Sequence, residues 1–431
     1  MRTNHKGTKD TKVAQRREKK EGRQPLFASS PFRSLVSLCA SLVFFVPLWF
    51  VRGAEPTPAF VLQTAAGDTV TGPLRQVGDD WSVRLGETAA EGRAVVALRR
   101  AGTPLPLFPQ GEQLLFGNGD RIPGRVLGLD GERLRVRLAG LGAGKEAALP
   151  LSALAVIWFH APDDTDRPDL LRRQLASGRR ARDTVLLRNG DTVEGVLTVL
   201  TDRAVEVEVD RKPTALARDK VAAVAVSTDL AQPLRPRGPY GRLVLADGAR
   251  VSVTGPSCTD GETLTATTLF GAPVRVPVAQ VVGLSLYQAA AVYLSDLKPR
   301  RFEHSPFLDT AWPLVNDGSV SGGDLRLGGG TYDKGLGVHS QSRVTYDLGG
   351  GYRRFEALVG LDDETAGRGA VRVRVLVDGK LREDRDVSAG DGVVAVRVAL
   401  DGARELTLEV DYGPGRDVWG RVDWADARLV R

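Results

Sequence analysis

One turn recurs along this chain and constrains its fold more than any other feature. LLFGNGDRIPGRV (Leu114 to Val126), VLLRNGDTVEGVL (Val185 to Leu197) and LVLADGARVSVTG (Leu243 to Gly255) each run an apolar strand into Asn-Gly or Asp-Gly and out into a second strand. FVLQTAAGDTVTGPL, from Phe60 to Leu74, is a weaker copy that turns through Ala-Gly. Asn-Gly and Asp-Gly suit tight hairpins whose two central residues both take positive φ. The segments that follow recur as well. An alternating strand (ERLRVRL, RAVEVEV, ETLTATTL) leads to LPLSALAVIWF, LARDKVAAVAV or VPVAQVVGLSL. Self-similarity of this kind predicts a repeated unit of four or five short strands, and no sustained 3.6-residue period competes with it.

Four short bent strands with a turn-helix before the last resemble small SH3-like or Sm-like barrels. The resemblance covers residues 59–110 as a degenerate copy, then 111–162, 184–230 and 240–290. Only the shape is carried over, because these copies lack the concentrated basic and aromatic surface that RNA binding needs. Asp120, Asp191 and Asp247 are read as hairpin residues, since a calcium loop needs several closely spaced carboxylates. Arg135, Arg137, Glu206 and Glu208 occupy solvent-facing strand positions. Between the second and third copies, DRPDLLRRQLASGRRARD places Leu170, Leu171 and Leu175 on one side of a short basic helix, a connector over residues 163–183.

Charge and cysteine content bear on the compartment. The formal charge is +6, yet residues 1–53 hold eleven Lys/Arg against three acids, a surplus of eight, so the remainder sums to −2. The basic balance therefore describes a leader, and nucleic acid is not an expected partner. That leader runs from a basic stretch into SLVSLCASLVFFVPLWFV (Ser34 to Val51) and then RGAEP, the order of an export signal, with cleavage expected after Gly53. The alternative is an uncleaved N-terminal anchor, the only membrane contact expected. Both put the rest of the chain outside the cytoplasm, secreted, periplasmic or in the cell envelope. Cys39 lies in the leader and leaves Cys258 alone, so no intramolecular disulfide is expected beyond residue 53.

From about Tyr293 the strands lengthen. RVTYDL sets Val344, Tyr346 and Leu348 on one face; AVRVRVLVDG does the same with Val371, Val373, Val375 and Val377. VVAVRVALDGA and ELTLEVDY continue with Val394, Val396, Val398 and Leu400, then Leu406, Leu408, Val410 and Tyr412. Half-buried antiparallel strands spaced by Asp-Gly and Gly-rich turns predict a β-sandwich. The fold class expected for the whole chain is all-β, tandem small barrels followed by this sandwich.

Residues 293–431 also carry a family resemblance. YDKGLGVHSQSRVTYDLGGGYRRFEALVGLDDE, then VRVLVDGK, LDGARELTLEV and VDWADARLV, resemble the NPCBM domain, a carbohydrate-binding-module family associated with glycoside hydrolase family 98. The resemblance implies a galactose-binding-like jelly-roll sandwich whose loops at one end bind sugar. Lys334, Gly335, Gly337 and His339 match the family's KG-G-H block; Asp362 and Asp363 match its V-G-x-D-D block; Asp423, Trp424 and Asp426 match its closing D-W-x-D-A-R-L block. Where relatives show an acidic or His-containing approach to that last block, this chain has VWGRVDW, which leaves a ligand role near Trp419 to Arg421 open.

The candidate sugar-binding residues are therefore His339, Lys334, Trp419 and Asp423. A neutral imidazole offers one donor and one acceptor to hydroxyls, though His339 would serve equally as a turn-anchoring group. Trp419, in the Gly-rich approach YGPGRDVWG, is the ring expected to meet sugar, whereas Trp424 is expected in the core. Asp362 and Asp363 end a strand where carboxylates join backbone carbonyls around a structural Ca²⁺, or simply form a turn. His160, His304 and His339 fall in no catalytic spacing with Cys, Ser or Asp, so no enzyme is expected. The expected function is an exported glycan-binding protein with the repeats as scaffold; the alternative is a structural or protein-interaction component of the cell envelope without sugar binding.

Overall fold

The computed structural model describes residues 58–142, 146–234, 236–306, 310–413 and 419–431. The leader expected over residues 1–53 and its cleavage point lie outside the described residues. Among the described residues no helix is long and apolar enough to cross a membrane. Pro56–Arg431 forms one compact unit built almost wholly of antiparallel strands.

In each of the four repeats, five strands run in sequence with a 3-10 turn before the last: Gly92–Ala94, Leu151–Ala153, Arg218–Lys220 and Val278–Gln280. The last strand returns to pair with the first, as in Leu62 opposite Leu98, Leu114 opposite Ile157, Leu186 opposite Ala223 and Leu243 opposite Leu284. The recurring turn itself differs from the expectation of two positive-φ residues. Only the glycine is left-handed (Gly67 +98°, Gly119 +88°, Gly190 +86°, Gly248 +88°), whereas Asn118, Asn189 and Asp247 are not. In every copy the glycine N–H donates to the carbonyl three residues back, and that same residue's N–H donates to the carbonyl after the glycine, as with Phe116, Gly119 and Asp120. This is a type I turn closed by a glycine bulge. The Asn or Asp earns its place through its side chain instead: Oδ1 of Asn118, Asn189 and Asp247 accepts the backbone N–H two residues on, at 3.1, 3.2 and 2.9 Å.

Neighbouring repeats share sheets. The Leu154–Trp158 strand pairs with Val221–Ala225, and Val281–Tyr287 pairs with Val95–Arg100, so the closing strands join the second repeat to the third and the fourth to the first. Asp120 adds a polar tie. Unlike exposed Asp191 it is buried, and its carboxylate accepts from Ser252 N and Ser252 Oγ at 2.9 and 2.7 Å with Arg242 at 3.4 Å. The connector helix, Pro168–Ser177, starts with proline at its first turn, where no helical N–H is needed. Leu171 and Leu175 pack beside Trp158, and the buried Arg172 guanidinium lies 5.1 Å from that ring.

The C-terminal part is a β-sandwich. One sheet orders the strands Val315–Asn316, Gly335–His339, Arg421–Val430, Arg354–Leu361 and Val394–Ala399; the other orders Arg301–His304, Ser342–Asp347, Glu405–Tyr412, Ala370–Val377 and Lys380–Ser388. Between them lie Val344, Tyr346, Phe355, Val373, Val375, Leu408, Val410 and Trp424, in the alternation that the sequence prescribes. Buried and part-buried arginines tie this sandwich to the repeats. Arg121 meets Asp324 at 3.0 Å, Arg250 meets Asp333 at 3.3 Å, Arg99 meets Asp426 at 3.2 Å, and Arg428 bridges Glu356 and Gln63.

Candidate functional site

The Gly335–His339 strand is glycine-rich because other backbone crosses it closely. A Cβ on Gly337 would stand 2.2 Å from the Gly318 carbonyl oxygen, and one on Gly335 would stand 2.4 Å from that of Trp424. Threaded between these segments, the strand delivers His339 to one end of the sandwich, opposite Arg421 in register. Gln341, at φ +64°, turns the chain into Ser342–Asp347, and Ser342 pairs with His304. The Ser340 N–H donates to the Gly420 carbonyl at 2.7 Å, bringing the segment that carries Trp419 alongside.

These turns gather a ring cluster. Trp312 stacks on His339 with centroids 5.1 Å apart and planes 6° from parallel, and His304 meets His339 edge-on at 6.0 Å. The Arg421 guanidinium carbon lies 5.8 Å from the Trp312 ring centre and 5.6 Å from that of Trp419; Arg368 lies 3.8 Å from Trp419. Cations at these distances over indoles are attracted by the ring quadrupole. His304 pins the cluster in place: its Nδ1 accepts the Trp312 backbone N–H at 3.3 Å, while burial, opposed by a hydrogen bond to the Ser340 carbonyl, holds its pKa below the ordinary value. Ser340 Oγ lies 3.1 Å from His339 Nδ1. Rings, imidazoles and guanidiniums together make a half-buried face able to pack against an apolar surface and to donate several hydrogen bonds at its rim.

Of the candidate residues, His339 and Trp419 join this face; the other four do not. Lys334 sits at the far end of the His339 strand, roughly 16 Å away at a strand's rise per residue. There its ammonium is held by Asp317 at 2.8 Å and by Asp296; burial pulls its pKa down, but the two carboxylates outweigh it and leave it raised. Asp423 is fully buried, in register with Gly337 and Gly360, and so does not reach the face. Its Oδ2 accepts from Arg326 N at 3.1 Å, and Asp362 Oδ1 accepts from Glu364 N at 2.7 Å. That leaves Asp423 Oδ1 and Asp362 Oδ2 buried and without any donor except each other. Burial, then the neighbouring Asp362 carboxyl, pushes Asp423 well above the usual carboxylate range, and burial also raises Asp362. One proton shared between the two satisfies this arrangement.

Asp363 points elsewhere. Its two oxygens accept the N–H groups of Gly328 and Gly329, both at 2.9 Å, capping the hairpin Leu325–Tyr332. Asp362 and Asp363 thus do not converge on a common centre. Calcium takes six to eight oxygens, and among the described residues no group of three His, Cys, Asp or Glu side chains stands ready for a metal. The residues that sequence reasoning did not assign to the face are His304, Trp312, Arg368 and Arg421. The only local signal was the basic VWGRVDW approach, which places Arg421 two residues after Trp419. A separate open cleft of about 890 Å³ lies between the second and fourth repeats, with Arg125, Arg137, Leu138, Arg275 and Pro277 in its walls. Among its described lining residues there is no aromatic side chain, so the two features differ in chemistry.

Residues 290–430, about a third of the chain, match the model of the NPCBM/NEW2 domain, and they coincide with the sandwich. Over 110 residues this chain is 34% identical to a Renibacterium salmoninarum protein named "Putative endo-alpha-N-acetylgalactosaminidase"; those residues make up 25% of this chain and 7% of that protein. Similar solved structures come from Clostridium perfringens. The second CBM51 module with INT domains of ZmpB, in complex with GlcNAc, is 22% identical, covers 43% of this chain and 42% of its own, and has a TM-score of 0.31. The CBM51 module of a GH95 protein, in complex with methyl-galactose, is 28% identical, covers 32% of this chain and 99% of its own, and has a TM-score of 0.29. The chain spans less than half of the ZmpB structure and a small part of the Renibacterium protein.

Proposed function

We propose that this chain is an exported, non-catalytic carbohydrate-binding protein. The NPCBM domain takes glycan on the face formed by Trp312, His339, Trp419 and Arg421, and the repeats, read as small SH3-like barrels, act as its scaffold. The observation that carries the reading is the stacked Trp312–His339 pair at a loop end of the sandwich that matches the NPCBM/NEW2 model. A pyranose presents C–H groups on one side and hydroxyls around its edge. The indole plane suits the first, and the imidazole and guanidinium nitrogens at the rim suit the second.

A hydrolytic role finds no support in the nearby acids. Glycoside hydrolysis needs two carboxyls on either side of an accessible sugar bond. Asp362 and Asp423 are sealed from solvent and face each other. Export rests on the order of the leader, a basic stretch ahead of an apolar run. A glycan array probed with the full chain, without its leader, tests the function. Retention on a defined set of saccharides is the expected result; retention on none would leave the envelope-scaffold role as the better account.

A further inference from the structure

Resting on the assignment of the ring face as the glycan site, we propose that the saccharide it recognises is acidic, with its anionic group clamped by Arg368 and Arg421. Elsewhere on the sandwich several arginines are paired: Arg343 has Glu409, Arg372 has Asp384 at 2.6 Å, and Arg374 has Asp411 at 3.2 Å. Arg382, Arg397 and Arg404 have no ion pair among the described residues but lie away from the rings. Arg368 and Arg421 have no carboxylate within ion-pairing distance among the described residues. Arg368 donates only through Nε to the Thr365 carbonyl, at 3.3 Å, and Arg421 Nε is buried without an acceptor. The Arg368 guanidinium stacks on Trp419 at 3.8 Å, and that of Arg421 lies within cation–π range of both Trp419 and Trp312, at 5.6 and 5.8 Å.

Among the described residues, the acids on the surrounding elements are already committed. Asp362 and Asp423 share a buried proton, Asp363 caps Gly328 and Gly329, Glu364 pairs with Arg167, and Asp411 serves Arg374 and Gln341. Among the described residues the face thus concentrates two permanent positive charges that no carboxylate pairs with, a field that favours an anionic ligand. A guanidinium's planar fork matches a carboxylate or sulfate with two parallel hydrogen bonds, and pre-stacking lowers the entropy cost of using it. A neutral hexose would offer each fork separate hydroxyl oxygens in place of two parallel, charged acceptors.

Affinity gels containing polygalacturonate, its methyl ester, a neutral galactan or a sulfated galactan test this with the full chain. Retention on polygalacturonate at least tenfold stronger than on its ester, and weakened by salt, is expected. Retention on the sulfated galactan alone would identify sulfate as the group clamped. The exposed Arg368→Gln and the half-buried Arg421→Gln variants should each reduce retention toward the level of the ester, with unchanged melting for Arg368→Gln as the control for folding. Equal retention on charged and neutral gels, or indifference to Arg368→Gln and Arg421→Gln, overturns the acidic preference while leaving glycan binding intact. No retention on any saccharide tested would overturn the glycan assignment and this proposal with it.

Discussion

Trp312 and His339 lie parallel, ring centres 5.1 Å apart, so the histidine of the family motif and a tryptophan from an earlier loop form a single surface. A stacked pair of this kind adds about 0.5–1.5 kcal/mol beyond area burial. His339→Ala should therefore weaken glycan retention by roughly two- to tenfold while the half-buried position tolerates the loss. Affinity electrophoresis beside a thermal melt checks this; unchanged retention would mean that His339 only shapes the turn.

The Asp362–Asp423 pair predicts a pH dependence of stability. Both carboxyls titrate above their unfolded value of about 4. The folded state thus binds a proton that the unfolded chain releases. Its contribution is complete below about pH 4 and is lost as pH rises through the raised value of the pair. Asp423→Asn, whose amide donates permanently to Asp362, should flatten this component relative to wild type in urea midpoints measured from pH 4 to 8. Parallel profiles would contradict a shared proton, as would a melting temperature raised by calcium and lowered by EDTA.

Arg250 is predicted to be a keystone of the junction between the repeats and the sandwich. Its side chain is fully buried, and it donates to the carbonyls of Gly248, Pro106 and Thr331 besides pairing with Asp333. Arg250→Ala removes the ion-pair partner of the largely buried Asp333 and strands three acceptors, a loss of about 3–5 kcal/mol. Cutting the solvent-screened Arg372–Asp384 pair should cost far less. Chemical denaturation of both variants should separate them clearly.

Gly190 offers a clean test of the recurring turn. At φ +86° it has open space where a Cβ would go, so Gly190→Ala carries backbone strain alone, about 1–2 kcal/mol. Gly337→Ala, whose Cβ would strike the Gly318 carbonyl, should cost considerably more. Equal losses in thermal melts would show that the turn, rather than the close crossing, dominates.

Strand periodicity made the sandwich core legible: Val371, Val373, Val375 and Val377 alternate inward as written. The turn was legible in place but not in type, because the sequence shows an Asn beside a Gly without showing that the Asn serves through its side chain. Asp120 and Asp191 look alike locally, and only the neighbouring repeat makes one buried and the other exposed. The ring face was half readable for a similar reason. His339 and Trp419 sit in motif segments, whereas His304 and Trp312 reach them through the register of His304 with Ser342. Lys334 and Asp423 share those motifs, but strand direction carries the first to the other end and alternation turns the second inward.

The most direct test of the ring face as a glycan site is retention of wild type and Trp312→Ala on the saccharide that the full chain binds best. Trp312 is half-buried and outside both sheets, so the variant should melt as wild type does and lose at least tenfold in retention. Undiminished retention by a folded Trp312→Ala protein would contradict the assignment.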